Sequence, residues 1–369
     1  MKDEKKAPKL RFKGFTDDWE QRKLGDVAKI TAGGDINKGD LINKGKYPVI
    51  ANGLNNNGIV GYSNKYKIDA PAVTITGRGT LGVATARFIN FTPIVRLISI
   101  KSDLDPIYLE NVINNTHFVI ESTGVPQLTA PQVKRQTVIL SNCHIEQTKI
   151  GSLLLTLDNA ITLHEEKKQQ LKRLKSALLQ KIFADKSGYP VVRFEGFDKA
   201  WEERKLKDVV EKQIKGKAQL EKLAPGEVEY LDTSRLNGGQ AILTNGLKDV
   251  TLDDILILWD GSKAGTVYHG FEGALGSTLK AYRTSANSKF VYQYLKRHQD
   301  NIYNNYRTPN IPHVQKDFLN VFTISVPVSD EQEKIGSFFK QLDDTIALHQ
   351  RKLDLLKEQK KGFLQKMFV

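Results

Sequence analysis

The sequence EQTKIGSLLLTLDNAITLHEEKKQQLKRLKSALLQKIFA at residues 146–184 returns at residues 331–369 as EQEKIGSFFKQLDDTIALHQRKLDLLKEQKKGFLQKMFV. The two blocks are identical at 19 of 39 positions and contain no proline. Apolar residues recur every seven positions, which is typical of a coiled-coil seam. One column of this repeat consists of Ile150, Leu157, His164, Leu171 and Leu178, and its counterpart of Ile335, Leu342, His349, Leu356 and Phe363. The pattern predicts two long helices that pack on each other.

A second repeat lies upstream of each helix. LRFKGFTDDWEQRKLGDVAK at 10–29 returns as VRFEGFDKAWEERKLKDVVE at 192–211, identical at 11 of 20 positions. The segments between the repeats, 30–145 and 212–330, have similar lengths and little common sequence. The protein is therefore two copies of one unit. The divergent middles fit two modules with one architecture and different targets, although uneven drift after a duplication would also produce them.

The divergent middles are predicted to be rich in β-structure. Short runs of β-branched and apolar residues alternate there with Gly- and Asn-rich turns, which is the usual pattern of strands and tight connections. The predicted strands are Ala72–Thr76, Ile94–Ile100, Val138–Leu140, Ile255–Trp259 and Val321–Val326. Each copy is thus expected to be a mixed α/β module followed by one long helix.

Composition and charge restrict the class of protein. The 369 residues carry a net charge of +13, with a pI near 9.4. The positive balance weakly favours a polyanionic partner. The longest apolar run has five residues, far short of the roughly 20 that span a bilayer. The charged N-terminus does not resemble a signal peptide, and Cys143 has no second cysteine to pair with. We expect a cytoplasmic protein with no membrane association.

The segment Gly77-Arg78-Gly79-Thr80-Leu81-Gly82 matches the glycine pattern of dinucleotide-binding turns. Such a turn needs a following helix and an acidic residue about 20 positions on, whereas VATARFINF predicts a strand here. The segment is better interpreted as a tight turn between strands. Gly261-Ser262-Lys263-Ala264-Gly265 is a comparable turn in the second copy. Each turn sets a cation and a hydroxyl beside glycines, which suits contacts to phosphates or base edges.

Motifs for catalysis are not found. The sequence contains no phosphate-binding Gly-Lys-Ser/Thr loop, no zinc-binding His-Glu-x-x-His pair and no methyltransferase Asn-Pro-Pro-aromatic segment. His164 and His349 occupy core positions of the heptads, where a single polar residue more often sets register than binds a ligand. The sequence therefore shows no recognisable catalytic motif, and we expect no metal site in this chain.

The chain resembles the DNA-specificity subunits of type I restriction–modification systems over essentially its whole length. The resemblance depends on the openings RFKGFTDDWEQRKLGDV and RFEGFDKAWEERKLKDV and on the two EQ-K-I-G-S helices. GVPQLT at 124–129 and RTPNIP at 307–312 also fit the family. One departure is that Pro327 precedes the second helix, whereas residues 139–145 lack a proline before the first.

This resemblance implies a fold, a function and partners. The fold is α/β (α+β): two repeated target-recognition domains separated by two long antiparallel coiled-coil helices with pseudo-two-fold symmetry. The domains would be residues 1–145 and 185–330, with spacer helices at 146–184 and 331–369. The function would be non-catalytic recognition of a bipartite double-stranded DNA site. The partners would be two methyltransferase subunits and restriction subunits, which would carry S-adenosylmethionine, ATP and Mg²⁺, with no cofactor in this chain.

Side chains that can read base edges are the candidates for DNA binding. Arg pairs with guanine, and Asn or Gln pairs with adenine. The first module supplies Asn52, Asn55, Asn56, Arg78, Thr80, Arg87 and Gln127, and the second supplies Ser234, Arg235, Asn237, Lys263, Arg307 and Asn310. Residues 1–145 hold 20 Lys and Arg against 13 Asp and Glu, while residues 186–330 hold 20 against 18. The first module should therefore depend more on backbone electrostatics.

Apolar residues beside the heptad seam are candidates for partner binding. They are Leu163 and Leu348, with Phe183 and Phe368 near the helix ends. The alternative, that they widen the core between helix and module, is equally open. If the helices run antiparallel, His164 and His349 should lie beside their crossing point, and Val369 should end near the first module.

Two other classes of function remain open. A stand-alone DNA-binding regulator would share the basic charge but would not co-purify with a methyltransferase. An enzyme that uses the glycine turn for a nucleotide would bind that nucleotide as an isolated chain.

Overall fold

The computed structural model describes residues 7–35, 39, 41–118, 126–184, 187–308 and 312–368. The chain divides into two compact units. Unit 1 comprises residues 1–165 and 351–369, and unit 2 comprises residues 166–350. Each unit therefore contains one β-rich module together with part of both long helices.

Unit 1 contains nine short strands in its described residues. They are β1 Glu20–Lys23, β2 Lys29–Ala32, β3 Tyr47–Ile50, β4 Ile59–Ser63, β5 Ala72–Ile75, β6 Ala84–Arg87, β7 Thr92–Pro93, β8 Ile98–Lys101 and β9 Thr137–Leu140. The helices are α1 Leu24–Val27, α2 Pro106–Asn114, α3 Ala130–Arg135 and the start of α4 His144–Ile182, with a 3-10 turn at Asn55–Gly58.

Three small sheets organise unit 1. An antiparallel sheet has the order β2-β8-β5-β6, and a second has the order β4-β3-β7, in which β3 and β7 are parallel. Strand β1 pairs with β9 next to the start of α4. Successive side chains of a strand point to opposite faces. Ile98 and Ile100 accordingly join the core with α2 and α4, whereas Ser99 between them points to the other face.

Unit 2 repeats this set of elements in its described residues. The strands are β10 Glu202–Lys205, β11 Val210–Lys215, β12 Pro225–Leu231, β13 Leu243–Thr244, β14 Ile255–Leu258, β15 Val267–Tyr268, β16 Ala274–Leu275, β17 Leu279–Thr284 and β18 Thr323–Val326. The helices are α5 Thr233–Leu236, α6 Ser288–Arg297, α7 Gln299–Asn305, α8 Phe318–Val321 and α9 Ser329–Met367, with 3-10 turns at Leu206–Val209 and Leu220–Lys222.

The sheet topology of unit 2 matches that of unit 1 strand for strand. Its sheets have the orders β11-β17-β14-β15, β13-β12-β16 and β10-β18, and a parallel pair of strands again lies in the three-stranded sheet, between β12 and β16. The divergent middles of the two copies therefore fold alike. The prediction of mixed α/β modules is confirmed, and each predicted run overlaps a strand. In the run 94–100, however, Val95 and Arg96 form a turn with φ values of +52° and +60°, and in the run 321–326 Val321 ends α8.

The long helices run antiparallel within each unit. In unit 1, the Lys360 ammonium contacts Asp158 at 2.5 Å and Lys357 contacts Glu165 at 2.7 Å. In unit 2, Lys168 donates to Gln350 at 2.6 Å and Lys175 to Asp343 at 2.6 Å. In both units, the residue numbers of these contacts increase along α4 while those of their partners on α9 decrease, so the two helices run in opposite directions. The predicted pair of antiparallel helices is confirmed.

The duplicated opening motif anchors the start of α4. Arg11 donates from its guanidinium to the carboxylate oxygens of Glu146 at 2.7 and 2.9 Å. Trp19 donates from Nε1 to the same carboxylate at 3.1 Å, and Ser141 donates from its hydroxyl at 2.6 Å. Burial alone would raise the pKa of Glu146, but these hydrogen bonds outweigh it and hold the pKa below its usual value.

The glutamine and glycine of the EQ-K-I-G-S motif join the same helix to α2. Gln147 accepts from the amide of Asp105 at 3.3 Å and donates to the carbonyl of Ser141 at 2.7 Å. Asp105 in turn caps α2 by accepting from the Tyr108 amide at 2.8 Å. A Cβ on Gly151 would collide with the Asp105 carboxylate, so the close packing of α4 on α2 requires glycine.

Unit 2 repeats the ion pair, the glutamine contact and the helix cap at the start of α9, whereas Trp201 Nε1, the counterpart of Trp19 Nε1, has no hydrogen-bond partner among the described residues. Arg193 binds Glu331, Gln332 accepts from the Asn287 amide at 2.8 Å, and Asn287 caps α6. The duplicated motifs therefore form one structural joint, between each module and the helix that follows it.

Candidate nucleic-acid interface

Two loops of unit 1 carry most of its predicted base-reading residues. One follows β3 and holds Asn52, Asn55 and Asn56, and the other follows β5 and holds Arg78 and Thr80. Asn52 connects them, because its Oδ1 accepts from the Gly77 amide at 2.7 Å and its Nδ2 donates to the Val95 carbonyl at 2.6 Å. With both ends of its amide occupied, Asn52 positions the loops. Asn55 and Asn56 are exposed beside it.

The glycine segment after β5 is a tight connection to β6, as predicted. Gly79 and Gly82 have φ values of +70° and +79°, which an L-residue rarely adopts. The Leu128 amide donates to the Gly77 carbonyl at 2.9 Å, so half-buried Gln127 lies next to the turn. Arg78 and Thr80 are exposed at its tip. The structure therefore brings Asn52, the turn and Gln127 together.

Arg87 has a different setting from the other candidates. It ends strand β6, where its Nε donates to the Thr74 hydroxyl at 3.0 Å. Burial lowers the pKa of its guanidinium, and the carboxylate of Glu110 partly offsets this effect. Arg87 thus lies half-buried on the sheet rather than in a loop, which sets it apart from the exposed turn.

Unit 2 places its candidates at the equivalent loops. Ser234 and Asn237 lie in and just after α5, which follows β12, and Lys263 lies in the turn after β14. Between the two loops is a cleft of about 660 Å³. Its polar lining includes Ser234, Asn237, Asp260, Ser262, Lys263 and Tyr268. The cleft therefore offers hydroxyl, amide, carboxylate and ammonium groups within one concave surface.

Two of the candidates in unit 2 are held by neighbouring groups. Arg235 pairs with the carboxylate of Glu229 and lies over the Phe271 ring. Asn237 donates to the Thr233 carbonyl at 2.6 Å and to the Tyr268 hydroxyl at 3.2 Å. Part of the hydrogen-bonding capacity of these two side chains is therefore used within the protein.

Arg307 supports the turn that carries Lys263. It donates to the carbonyl of Ser262 at 3.1 Å and to that of Tyr303 at 2.8 Å. This geometry gives Arg307 a role in positioning the turn. Asn310 lies outside the described residues.

The two loop pairs occupy corresponding places in the fold. The Val314 amide donates to the Trp259 carbonyl at 2.9 Å, just as the Leu128 amide donates to Gly77. Each unit thus uses the connection after the middle strand of its three-stranded sheet and the turn after an inner strand of its four-stranded sheet. The same two positions carry Asn and Arg side chains in unit 1 and Ser and Lys side chains in unit 2.

Sequence reasoning missed three residues near the cleft of unit 2. Lys280 lies over the Trp259 ring, 3.2 Å from its centroid, and burial lowers the pKa of its ammonium. Asp260 lines the cleft and can accept from an exposed cytosine amino group. The sequence contains a signal that could have identified Trp259 and Asp260, because both lie between an apolar strand and a glycine turn. Lys280 joins them only through strand pairing.

The candidate partner-binding residues separate into two kinds. Leu163 and Leu348 are 64% and 43% exposed on their helices, as an outward-facing surface requires. Phe183 is only 2% exposed and packs on Trp201 and Phe290. Phe368 packs on Trp19 and Tyr108 in the same way. The two phenylalanines therefore do not face outward, because each closes the core between a helix end and a module.

The remaining candidates bear on geometry and on ligands. His164 belongs to unit 1 and His349 to unit 2, and both are half-buried, so their separation stays a prediction. Val369 lies outside the described residues. Across the described ranges no group of three or more His, Cys, Asp or Glu side chains could hold a metal ion. No described helix is long and apolar enough to cross a membrane.

Known proteins share this organisation. A 30% identical relative, the type I restriction enzyme MjaVIII specificity subunit of Methanocaldococcus jannaschii, aligns over 46% of this chain and 42% of its own length. The chain spans less than half the length of the curated relatives it matches. The crystal structure of the type I restriction-modification system S subunit from M. genitalium superposes with a TM-score of 0.76 at 17% identity. It covers 98% of this chain and 99% of its own, which shows a shared fold.

The family comparison covers both copies of the repeat. A family model described as the type I restriction modification DNA specificity domain matches residues 16–173 and again residues 198–358. Each match begins after the arginine of the opening motif and takes in most of one module and part of the following helix. The chain therefore belongs to the family of type I restriction modification DNA specificity domains.

Proposed function

We propose that this protein is the non-catalytic subunit that reads a bipartite double-stranded DNA site for a type I restriction–modification complex. The observation that carries the proposal is the pair of corresponding loops in the two units, which have one backbone plan and different side chains. Two recognition modules (here called readers) with the same backbone arrangement but different side chains suit a DNA site whose two halves differ in sequence. Membership of the specificity-domain family supports the same assignment.

The exposed side chains suggest how each reader would work. In unit 1, Arg78 suits a bidentate contact to guanine, and Asn55 and Asn56 suit contacts to adenine. In unit 2, the Lys263 ammonium would donate to guanine acceptors, while Asp260 would accept from cytosine. Asn52 and Arg307 would act indirectly, by fixing the loops that carry these groups.

The chemical steps would belong to partner subunits. Two methyltransferase subunits and restriction subunits would assemble on the chain and would carry S-adenosylmethionine, ATP and Mg²⁺. The exposed leucines of the long helices are the proposed contacts for the methyltransferases. We propose the domain limits 1–145 and 185–330 for the two recognition domains and 146–184 and 331–369 for the spacer helices.

Exchange of one reader tests the proposal. Residues 30–140 would be replaced by the corresponding segment of another family member, and the methylated sites would be sequenced in cells that carry the partner subunits. We expect one half-site to change and the other to persist. A change in both half-sites, or no change in a folded and assembled chimera, would contradict two independent readers.

A further inference from the structure

The four-stranded sheets of the two units differ on the face that points away from the long helices. In unit 2, Ile214 of β11 pairs with Ala281 of β17, and both belong to or pack on an apolar cluster around Leu231. In unit 1 the equivalent pair is Thr31 of β2 with Ser99 of β8. Polar residues in unit 1 thus replace the apolar residues that close this face in unit 2.

A cavity of about 360 Å³ lies over this polar pair in unit 1. Its lining includes Thr31, Ser99, Lys29, Lys67, Lys101 and Asp69. Ser99 is 1% exposed, and its hydroxyl has no hydrogen-bond partner among the described residues. A buried hydroxyl without a partner is unfavourable, so the Ser99 hydroxyl is available to donate a hydrogen bond to a ligand in the cavity.

The charges around the cavity favour an anion. Lys101 donates to the backbone carbonyls of Pro71 and Asp69, at 2.8 and 3.3 Å. Within the described chain, no carboxylate lies within 4 Å of the ammonium of Lys29, Lys67 or Lys101. The single acidic group of the lining, Asp69, interacts with the Tyr66 hydroxyl. A water molecule would satisfy Ser99, whereas an anion would satisfy Ser99 and also be attracted by the positive charge of the three lysines.

We propose that this cavity is a phosphate-binding site of the first unit. Three lysines and two hydroxyl-bearing residues line it, a set of donors that suits an anion with several acceptor oxygens, such as phosphate. The volume exceeds that of one phosphate, so the group would be part of a larger molecule. That molecule is either a small phosphorylated metabolite or the backbone of a nucleic acid. The proposal stands independently of base reading, because none of its residues belongs to the candidate loops.

Titration of the full-length protein tests the site. Inorganic phosphate and thymidine 5′-monophosphate would be followed by phosphorus NMR and calorimetry. We expect saturable binding of both, stronger for the monophosphate, and at least a tenfold loss of affinity in a Lys67→Gln, Lys101→Gln double variant. The control Lys134→Gln removes the same charge on α3 and should bind as the parent does. No saturable binding, or equal binding by all variants, would overturn the proposal.

A second variant copies the other unit. Thr31→Ile with Ser99→Ala installs the residues found at the equivalent positions of unit 2, and it should abolish phosphate binding without loss of the circular dichroism of the fold. If that variant does not fold, the two surface lysines still decide the result. The source of the phosphate follows from competition: a duplex of unrelated sequence displaces the monophosphate if the site holds a nucleic-acid backbone, and both bind together if it holds a metabolite.

Discussion

Arg11 and Glu146 are 135 residues apart in the sequence and form a two-point ion pair, with a carboxylate that is fully buried. Arg193 and Glu331 repeat the pair in unit 2, where the two hydrogen bonds are both 2.8 Å long. Each pair holds an opening motif on the first turns of a long helix. This contact explains why the opening motif and the long helix have similar sequences in the two repeats, whereas the segments between them differ.

Removal of one partner should weaken this joint strongly. Arg11→Ala leaves the Glu146 carboxylate buried without its cation, and loss of one member of a buried pair costs about 3–5 kcal/mol. Hydrogen–deuterium exchange should therefore accelerate in the first turns of α4 and in β1. The exposed pair of Arg22 and Glu20 supplies the control, since Arg22→Ala should change exchange little. Equal protection in both variants would contradict a structural role for the buried pair.

The stability of the same joint should depend on pH in the acid range. The pKa of Glu146 is held below its ordinary value, so its ionised form contributes stability above about pH 4.3, the ordinary value. That contribution is lost as the pH falls through the lower pKa of the folded state. Urea unfolding of the parent and of Glu146→Gln should therefore converge as the pH is lowered from 7 to 3. A constant difference across this range would contradict the prediction.

Two glycines of the helices should respond in opposite ways to a methyl group. Gly336→Ala places Cβ 2.7 Å from the Asn287 side chain and should destabilise unit 2 by about 1–3 kcal/mol. Gly362 lies in the same helix with nothing within 4 Å of such a Cβ, so Gly362→Ala should stabilise it by up to about 1 kcal/mol. Thermal unfolding measures both. A similar shift for the two variants would rule out close packing as the reason for Gly336.

The sequence predicts the parts of this fold that have local or repeated signals. Heptads identify the long helices, and glycines identify the turn at Gly79 and Gly82. The positions of Phe183 and Phe368 could not be predicted in this way, because the residues that cover them, Trp201 and Trp19, lie far away in the sequence. The common topology of the divergent middles could not be predicted from the sequence either, because different apolar residues form the same strand pairings in the two units.

The same limit applies to the candidate interface. Residue type singled out Asn52 and Arg307, but their amide and guanidinium groups are used on backbone atoms of neighbouring loops. The position of Lys280 could not be predicted from the sequence, because the pairing of β14 with β17 is what brings it next to Trp259. A sequence gives the chemical type of each side chain, but it does not show which side chains already form hydrogen bonds or ion pairs within the folded protein.

Arg78 should distinguish base reading from backbone contact. If its exposed guanidinium pairs with a guanine, Arg78→Ala should weaken binding of the recognised duplex by about 1–3 kcal/mol and relax discrimination at one base pair. Arg135→Ala removes an equal charge at the end of α3 and should preserve discrimination. Binding to a panel of single-base variants at two salt concentrations measures both effects. A uniform loss with a shallower salt dependence would make Arg78 a phosphate contact.

Leu163 and Leu348 should be required for assembly with the methyltransferase subunits. They occupy equivalent positions on α4 and α9 and are 64% and 43% exposed, so an aspartate at either site leaves the module cores intact. Each substitution would bury a charge in a protein interface, and co-purification of the methyltransferase should be lost. Leu174 is the matched control: it is 49% exposed on α4, and its counterpart in the other helix is Gln359. Leu174→Asp should assemble normally, whereas full assembly of Leu163→Asp and Leu348→Asp would assign the docking surface elsewhere.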